Sequence, residues 1–230
     1  MMWRHCIEQY SLLQLVGDIS GKVVMDLACG EGFYTRLLKA LGASRVLGVD
    51  LSAKMIELAL QREQADALGI EYVIADARNM LLPERFDVIV AAYLLNYAQT
   101  REELLLMCHS ISYHLKPGGR FVTVNNNPSQ QVSNFWATRK YGFVKDADGD
   151  IRNGTPIRYT FFLESGVLEI ENYHLDAAIH DWALREAGLS DIRWHAPRLS
   201  PDQARGRNQE FWRDFLRDPP VTLPQCRKQA

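Results

Sequence analysis

Apolar, β-rich runs alternate with helical patterns along the first 125 residues of this 230-residue chain. The β-rich runs lie at 22–27, 45–50, 70–76, 86–93 and 120–125, and the helical patterns at 33–41, 53–68 and 101–115. Continuous apolar strands separated by helices are typical of a parallel sheet that is covered on both faces. The alternation therefore predicts an α/β fold before any single residue is considered.

The second half of the chain changes character after the fifth predicted strand. Residues 125–155 are polar and rich in turn formers, and the β-like runs 157–163 and 167–175 flank the sequence ESG as a predicted hairpin. A helix at 177–187, a strand at 191–195, a helix at 209–217 and a strand at 221–227 follow. We predict one domain over 1–230: a Rossmann-like, doubly wound, mostly parallel seven-stranded sheet, with a substrate cap inserted after strand 5 at about 126–175.

Composition excludes several kinds of partner. The formal net charge of −2 provides no bulk attraction to nucleic acid or to anionic membranes, so we expect neither as a partner. The four cysteines are scattered without CxxC pairing, and the first twenty residues carry charges throughout, unlike a signal peptide. Both features favour a reduced, cytoplasmic protein. The acidic stretch DADGD at 146–150 lacks the glycine and the glutamate of a calcium loop, so we predict no metal.

A glycine turn follows the first predicted strand in the sequence VMDLACGEG, residues 24–32. Gly30 and Gly32 match the first two glycines of a dinucleotide-binding turn, but Thr35 stands where a third glycine permits close helix–strand packing. Asp26 ends the strand, and its carboxylate would repel a pyrophosphate and attract a ligand ammonium group. The turn therefore favours a nucleotide-like ligand that carries a positive charge and no phosphates.

Two further carboxylates end the next two predicted strands. Asp50 ends the second strand, at the position that holds ribose hydroxyls in nucleotide-binding sheets. Asp76 ends the third strand, where a carboxylate can accept a hydrogen bond from an adenine amino group. An adenosine with a positively charged, amino-acid-like tail satisfies all of these aspartates, and S-adenosylmethionine is such a molecule.

Five ordered motifs between residues 23 and 125 resemble those of the class I S-adenosylmethionine-dependent methyltransferases. They are VMDLACGEG, VLGVDLSAKMIELA, IADARN, FDVIVAAYLLNYA and LKPGGRFVTVN. The resemblance implies S-adenosylmethionine as the cofactor and S-adenosylhomocysteine as its product. It implies cofactor-binding residues at the methionine end (Asp26, Ala28, Gly30, Gly32), at the ribose (Asp50, Leu51), at the adenine (Asp76, Ala77) and beside the methionine moiety (Ala92, Tyr93).

Within that class, three segments look like small-molecule methyltransferases of the toxoflavin N-methyltransferase type: DLACGEGFYTR, AAYLLNYA and EFWRDFLRDPPVTLPQCRK. The resemblance implies a cytoplasmic enzyme of secondary metabolism that methylates a nitrogen of an aromatic or heterocyclic small molecule. That group carries an N-terminal segment whose tyrosines close over the cofactor, and this chain begins too late for it. We expect either a helix around Tyr10 in its place or a missing lid. The alternatives are an O- or C-methyltransferase of a small metabolite and, without the lid, a cofactor-binding protein with no turnover.

Acceptor-site candidates lie after the fourth strand and in the cap, because substrates bind outside the carboxyl ends of the strands in such sheets. The predicted substrate-binding residues are Asn96, Tyr97, Trp136 and Tyr173. Phe135 and Trp212 are further aromatic candidates for an apolar acceptor box. Tyr97 and His174 are the predicted catalytic residues, since an O- or C-acceptor would need a nearby base.

We predict that the protein binds S-adenosylmethionine and S-adenosylhomocysteine and does not bind a nicotinamide dinucleotide, because strand-end aspartates oppose a pyrophosphate. Asp50→Ala should weaken S-adenosylmethionine binding by about tenfold to a hundredfold, since hydrogen bonds from ribose hydroxyls to a carboxylate are lost. Titration calorimetry with each cofactor measures both effects. Tight binding of the dinucleotide without binding of S-adenosylmethionine would contradict the assignment.

Overall fold

Ten strands form two sheets in the computed structural model, which describes residues 1–204 and 209–229. The strands are β1 (Val23–Leu27), β2 (Arg45–Asp50), β3 (Glu71–Ile74), β4 (Phe86–Ala92), β5 (Leu115–Asn126), β6 (Phe143–Asp146), β7 (Pro156–Leu163), β8 (Gly166–Tyr173), β9 (Leu189–His195) and β10 (Val221–Lys228). The main sheet has the order β3-β2-β1-β4-β5-β10-β9, and β6, β7 and β8 form a separate antiparallel sheet. The predicted seven-stranded, mostly parallel sheet is confirmed.

Two of the helices beside the main sheet begin where the sequence supplies a capping hydroxyl. The helices are α1 (Tyr10–Val16), α2 (Phe33–Ala40), α3 (Ala53–Ala65), α4 (Arg101–His114), α5 (Ala177–Glu186), α6 (Pro201–Ala204) and α7 (Gln209–Arg217), and a π-helix (Arg4–Gln9) runs directly into α1. The Ser52 hydroxyl accepts a hydrogen bond from the Met55 amide at 3.3 Å, before α3. The Thr100 hydroxyl accepts one from the Glu103 amide at 3.2 Å, before α4. Both bonds satisfy amides that lack a helical partner and so fix where the helices begin.

The main sheet reverses its strand order between β1 and β4, which is where open α/β sheets bind ligands. β1 pairs in parallel with β2 on one side and with β4 on the other, while β10 is antiparallel to both β5 and β9. The chain leaves β1 at Ala28 and β4 at Tyr93, and both residues have left-handed backbones, with φ of 61° and 64°. Such conformations are uncommon outside glycine and cluster at ligand sites. The expected ligand site therefore lies at the carboxyl ends of β1 and β4.

Several predicted boundaries differ from the observed ones, and three of them bear on the site or have a visible local cause. α3 ends at 65 rather than at 68, because the Glu63 carboxylate accepts hydrogen bonds from the amides of residues 68–70 and turns the chain. β3 ends at 74, so that Asp76 lies in the loop that follows the strand. β5 begins at Leu115 rather than at 120, since Leu115 already pairs with Phe86 before a shift of register.

The segment between β5 and α5 leaves the main sheet and forms the three-stranded sheet. The predicted hairpin is β7 and β8, which pair along their whole length. The sequence patterns do not predict β6, which pairs with β7 after two short 3-10 helices, Val132–Asn134 and Trp136–Tyr141. Buried side chains of this sheet share one apolar cluster with the N-terminal helix, β4 and β10, so the segment packs against the main sheet. Its role as a substrate cap stays a prediction.

An aromatic cluster holds α7 against the second 3-10 helix. Trp212 stacks on Tyr141 with ring centroids 5.3 Å apart, and Phe215 meets Tyr141 edge-on at 5.2 Å. Trp212 is 1% exposed and belongs to the apolar core cluster, and its contribution to an acceptor box stays a prediction. Trp136 is 61% exposed, so its ring lies at the surface instead of in the water-excluding slot that the sequence predicts.

We predict that Trp212→Ala lowers the free energy of unfolding by about 3–5 kcal/mol, because it leaves a cavity inside a packed aromatic cluster. Trp136→Ala removes the same side chain from an exposed position and should change that free energy by less than about 0.5 kcal/mol. Urea denaturation of both variants, followed by circular dichroism, gives the two values. Equal losses of stability would contradict this assignment of core and surface.

Candidate active site

A cavity of about 1070 Å³, the main cavity, lies at the carboxyl ends of β1, β2 and β4. Nine of the ten predicted cofactor-binding residues line it: Asp26, Ala28, Gly30, Asp50, Leu51, Asp76, Ala77, Ala92 and Tyr93. The predicted acceptor residue Tyr97 lines it too. The motifs are separated along the sequence, and the parallel sheet brings them together because its strands all end at one edge.

Asp26 supplies a deeply buried carboxylate, which is 1% exposed. Its Oδ2 accepts a hydrogen bond from the Thr35 hydroxyl at 2.6 Å, whereas its Oδ1 is buried without a partner. Burial raises the pKa of Asp26 to about 7, against the opposing effect of the Thr35 hydrogen bond. Thr35 stands where the dinucleotide-binding pattern has its third glycine, and its hydrogen bond to Asp26 explains why a threonine suits this position. Oδ1 is an acceptor that a ligand ammonium can satisfy.

The glycine turn joins β1 to β2 through Asp50. The Gly30 amide donates to Asp50 Oδ2 and the Ser52 amide donates to Oδ1, both at 2.8 Å. A Cβ atom added at Gly30 would meet nothing within 4 Å, so the backbone there borders open space. Each carboxylate oxygen keeps a further lone pair. The turn thus presents bare backbone and an ordered carboxylate to a ligand.

Gly32 is not among the residues that line the main cavity, although the sequence predicts a contact with the cofactor. A Cβ atom added there would lie 2.5 Å from the Tyr72 hydroxyl, and one added at Gly48 would lie 2.5 Å from Cδ1 of the same ring. Both glycines make room for Tyr72, which packs against the turn. Gly32 is therefore explained by packing rather than by contact with a ligand.

The end of β3 contributes Asp76 and Ala77. The Asp76 carboxylate pairs with the Arg78 guanidinium, with 2.7 Å between Oδ2 and Nη2, and this pairing holds the pKa of Asp76 below its usual range. Leu51, which is 64% exposed, and Met55 supply apolar surface to the same cavity. These residues fit a flat, uncharged base that is held by one edge and by apolar contact.

The N-terminal helical segment, which comprises Trp3, the π-helix and α1, contributes Trp3 and Arg4 to the wall of the main cavity. Glu8 anchors it, because this fully buried carboxylate accepts hydrogen bonds from the hydroxyls of Tyr34, at 2.7 Å, and Tyr93. Arg4 adds an ion pair, with 3.3 Å between Nε and Oε1 of Glu8. The segment is thereby linked to α2 and to the end of β4.

Glu8 is a residue of the site that sequence reasoning misses. It is buried together with Ile7, Ser11 and Leu12 on one side of the helical segment. The sequence feature that could have identified Glu8 is a single carboxylate on the apolar face of a helix. Such a group needs hydrogen-bond partners when it is buried. A helix does occur where the sequence predicts one around Tyr10, as the π-helix and α1.

The three-stranded sheet lines the other half of the main cavity. Its lining residues alternate along the strands: Phe143 on β6, Tyr159 and Phe161 on β7, and Leu168 and Ile170 on β8. Residues two apart in a strand face the same side, and this alternation is the sequence signal that identifies them. The rings of Phe143 and Phe161 stack with centroids 5.8 Å apart and form part of a flat apolar wall.

A second, smaller cavity of about 210 Å³ accounts for three of the predicted acceptor or catalytic residues: Asn96, Tyr173 and His174. Tyr159 and Asn126 line both cavities. Asn96 is 2% exposed and donates from Nδ2 to Asn172 Oδ1 at 2.7 Å. Trp136 is not among the lining residues of either cavity. The predicted acceptor residues are therefore divided between the two cavities, and Trp136 lies outside both.

The two predicted bases have different surroundings. His174 Nε2 lies 3.2 Å from Asp176 Oδ1, at the edge of the smaller cavity. Tyr97 lines the main cavity, and burial raises its pKa, with the charge of Asp50 adding to the rise. A phenol with a raised pKa stays protonated near neutral pH and donates hydrogen bonds instead of removing protons. The catalytic roles of both residues stay predictions.

The acidic stretch at 146–150 is engaged by an arginine. Arg158 Nη2 lies 3.1 Å from Asp146 Oδ2 and 2.9 Å from Asp148 Oδ1. Within residues 1–204 and 209–229, no group of three or more His, Cys, Asp or Glu side chains is placed to hold a metal ion. In the same part of the chain, none of the helices is both long enough and apolar enough to cross a lipid bilayer.

We predict that the affinity for S-adenosylmethionine rises as the pH increases through about 7, the pKa of Asp26. Below that pH the carboxyl group is protonated and neutral, so binding a ligand ammonium requires release of a proton and is weaker. Asp26→Asn fixes the group in a neutral state and should give weaker binding with a flat profile. Calorimetry between about pH 5.5 and pH 8 compares the two proteins over the titration range. A rise of the same size in Asp26→Asn would exclude Asp26 as the titrating group.

Comparison with known sequences agrees with this geometry. A profile described as "Methyltransferase domain" matches residues 24–119, the part of the chain that holds all ten predicted cofactor-binding residues. Ubiquinone biosynthesis O-methyltransferases of Pseudomonas syringae pv. tomato and Pseudomonas putida are 29% and 30% identical to the chain over 115 residues. The match covers 48% of this chain and 48% of each relative, so the chain spans about half the length of the curated relatives it matches.

Solved structures extend the likeness to nearly the whole chain. S-adenosylmethionine dependent methyltransferases from Mesorhizobium loti and Listeria monocytogenes superpose with TM-scores of 0.67 and 0.69 at 23% and 22% identity, and the matches cover 96% and 97% of this chain and 97% of each of theirs. N-methyltransferase NodS from Bradyrhizobium japonicum, in complex with S-adenosyl-l-homocysteine, gives 0.58 at 17% identity over 97% of this chain and 85% of its own. At these identities the likeness shows the fold, and the family match supports S-adenosylmethionine as the cofactor. Residues 24–119 therefore match a methyltransferase domain, and the described part of the chain has the Rossmann-like fold of the S-adenosylmethionine dependent methyltransferases with which it superposes.

Proposed function

We propose that this protein transfers a methyl group from S-adenosylmethionine to a nitrogen of a small aromatic or heterocyclic metabolite. When bound, S-adenosylmethionine supplies an electrophilic methyl group on a sulfonium sulfur. The tasks of the chain are then to hold the cofactor, to orient the acceptor and to exclude water. The two halves of the main cavity offer the groups for these tasks.

The strand ends support the cofactor half of the proposal. The buried Oδ1 of Asp26 accepts from the ammonium of the methionine end, and the open space at Gly30 lets the ligand approach the backbone. The Asp50 carboxylate, already ordered by two backbone amides, accepts from the ribose hydroxyls. Asp76 and Ala77 serve the adenine edge. Carboxylates that are ordered before binding lose little freedom, which favours affinity.

The apolar wall supports a planar acceptor. Phe143, Tyr159 and Phe161 contribute rings to it, and Leu168 and Ile170 extend it. Such a wall holds a flat ring by stacking and apolar contact. It also displaces water from the space where the acceptor meets the cofactor. Alignment and exclusion of water supply much of the acceleration of an in-line displacement.

The choice of nitrogen depends on one observation. Among the described residues that line the main cavity there is no histidine and no lysine, and the carboxylates belong to the glycine turn and the strand ends. A neutral amine or ring nitrogen has a lone pair that attacks the methyl carbon without prior loss of a proton. An alcohol or a phenol has to be deprotonated before or during attack, and that requires a base. The main cavity therefore suits a nitrogen nucleophile.

Methylation of a phenolic oxygen is the second candidate function. It is favoured by the name of the curated relatives, ubiquinone biosynthesis O-methyltransferase. The required base would have to come from the smaller cavity, which is lined by His174 and Lys145. This route needs proton transfer past Tyr159, which lines both cavities.

We predict that, with labelled S-adenosylmethionine, aromatic amines and nitrogen heterocycles are methylated at least about tenfold faster than phenols of matched shape, since only phenols need a base. Phe161→Ala should raise the acceptor KM by about tenfold, because one ring of the wall is lost, and leave S-adenosylhomocysteine affinity nearly unchanged. Val167→Ala is the matched control, because Val167 lies on the adjacent strand and is 63% exposed.

The outcomes of this assay separate the candidates. Faster transfer to phenols than to amines would replace the nitrogen proposal with the oxygen one. Binding of S-adenosylmethionine with no transfer to any member of the panel would indicate a cofactor-binding protein without turnover. An equal loss of acceptor use in Phe161→Ala and Val167→Ala would show that the wall is misassigned.

A further inference from the structure

The smaller cavity contains buried polar atoms that have no partner. Tyr159 Oη, Asn96 Oδ1 and His180 Nδ1 all belong to residues that line it, and all three atoms are buried without a hydrogen bond. The three residues are 5%, 2% and 4% exposed. Leaving such groups unsatisfied is costly, so their concentration in one cavity points to a polar ligand there.

Lys145 brings a positive charge to the same cavity. It is 3% exposed, and its Nζ donates to Gln130 Oε1 at 2.7 Å. The ammonium lies 4.4 Å from the ring centroid of Phe135 and 5.3 Å from that of Tyr159. Burial lowers the pKa of Lys145 to about 7, which reflects how poorly this environment replaces water around the charge.

No carboxylate compensates this lysine within the part of the chain that the structure describes, because none lies within ion-pair distance of Nζ. The nearest acidic influence is Asp218, whose Oδ2 already accepts from the Gln131 amide at 3.1 Å and from Asn134 Nδ2 at 2.7 Å. A buried cation without a counter-charge is costly and is normally paired. An anion from outside the chain would supply the counter-charge that Lys145 lacks.

The strand register places Lys145 and Tyr159 side by side on one face of the three-stranded sheet. The two residues are directly opposite each other in the antiparallel pair β6–β7, so their side chains leave the sheet on the same face. Tyr159 also lines the main cavity, where its neighbour Phe161 belongs to the apolar wall. A ligand with its ring against that wall can extend past Tyr159 toward the ammonium. The volume of about 210 Å³ admits a small anionic group together with ordered water.

We propose that the smaller cavity binds a carboxylate of the methyl acceptor, with the Lys145 ammonium and the Tyr159 hydroxyl as its hydrogen-bond donors. This inference rests on the proposed function for the identity of the ligand as the acceptor. It narrows the acceptor to a planar aromatic or heterocyclic acid. Lys145 is a binding residue in this account and takes no part in methyl transfer.

The test uses benzoate as the probe and benzamide as its uncharged counterpart of nearly the same shape. Calorimetry or ligand-observed NMR on the full chain, with and without S-adenosylhomocysteine, measures both affinities. We expect benzoate to bind at least about tenfold more tightly than benzamide, and Lys145→Met to abolish that preference, because a charge-assisted hydrogen bond is lost. Tyr159→Phe should weaken benzoate several-fold and benzamide less, because a hydrogen bond to a carboxylate is stronger than one to a neutral carbonyl.

Lys140→Met is the matched control, because Lys140 is an exposed lysine that pairs with Asp214 near the same segment. It removes the same charge without touching the cavity and should leave benzoate binding unchanged. Lys145→Met is expected to fold, since replacing a buried charge by an apolar side chain of similar volume is often neutral or stabilising. Tyr159→Phe gives an independent variant should Lys145→Met fail to fold.

Three results would overturn the inference: equal affinity for benzoate and benzamide, unchanged benzoate binding in Lys145→Met, or the same loss in Lys140→Met. Failure of the proposed function is recognised separately. In that case the wild-type protein fails to bind S-adenosylhomocysteine or to methylate any acceptor, whereas the benzoate measurement without cofactor still judges the anion site.

Discussion

The buried carboxylate of Asp26 is the constraint on which the cofactor half of this fold depends. A carboxylate at this depth needs a donor, and the Thr35 hydroxyl supplies it from the first turn of α2. That contact requires α2 to begin close to β1, which the left-handed Gly32 before the helix permits. The space beside Gly32 is then filled by Tyr72. Strand, turn and helix are therefore fixed together around one charged group that keeps an oxygen for a ligand.

Charged and apolar side chains are segregated in the cavities, which suits methyl transfer from a positively charged cofactor to an acceptor with an apolar ring. The strand ends gather carboxylates, which suits a cofactor with an ammonium and a sulfonium. The sheet formed by β6, β7 and β8 contributes apolar side chains to the main cavity and the buried cation Lys145 to the smaller one. Glu8 accepts a hydrogen bond from Tyr93 at the end of β4 and forms an ion pair with Arg4. These two contacts hold the N-terminal helical segment against the main cavity.

The main sheet and the residues that line the main cavity at its strand ends are predictable from sequence because their causes are local. Each motif joins a strand end to the turn that follows it, and Asp50 reaches its partners through short stretches of backbone. Glu8 and Lys145 are not predictable in that way. Glu8 meets a tyrosine 85 positions away, and Lys145 is buried only because β6 pairs with β7. The wrong choice of Trp136 has the same origin, because an aromatic residue in a sequence does not reveal whether tertiary packing buries it.

The three-stranded sheet has one face toward the cavities and one face toward solvent, and the two faces can change independently during evolution. Side chains at alternate positions of β7 and β8 face the cavities, while their neighbours, such as Val167, face outward. Because backbone pairing holds the sheet together, substitutions on the inner face can remodel the acceptor pocket with little effect on strand pairing. Asp26, Asp50 and Asp76 all lie outside this sheet. Residues on the inner face of this sheet can therefore be exchanged over time while the carboxylates at the other end of the main cavity stay unchanged.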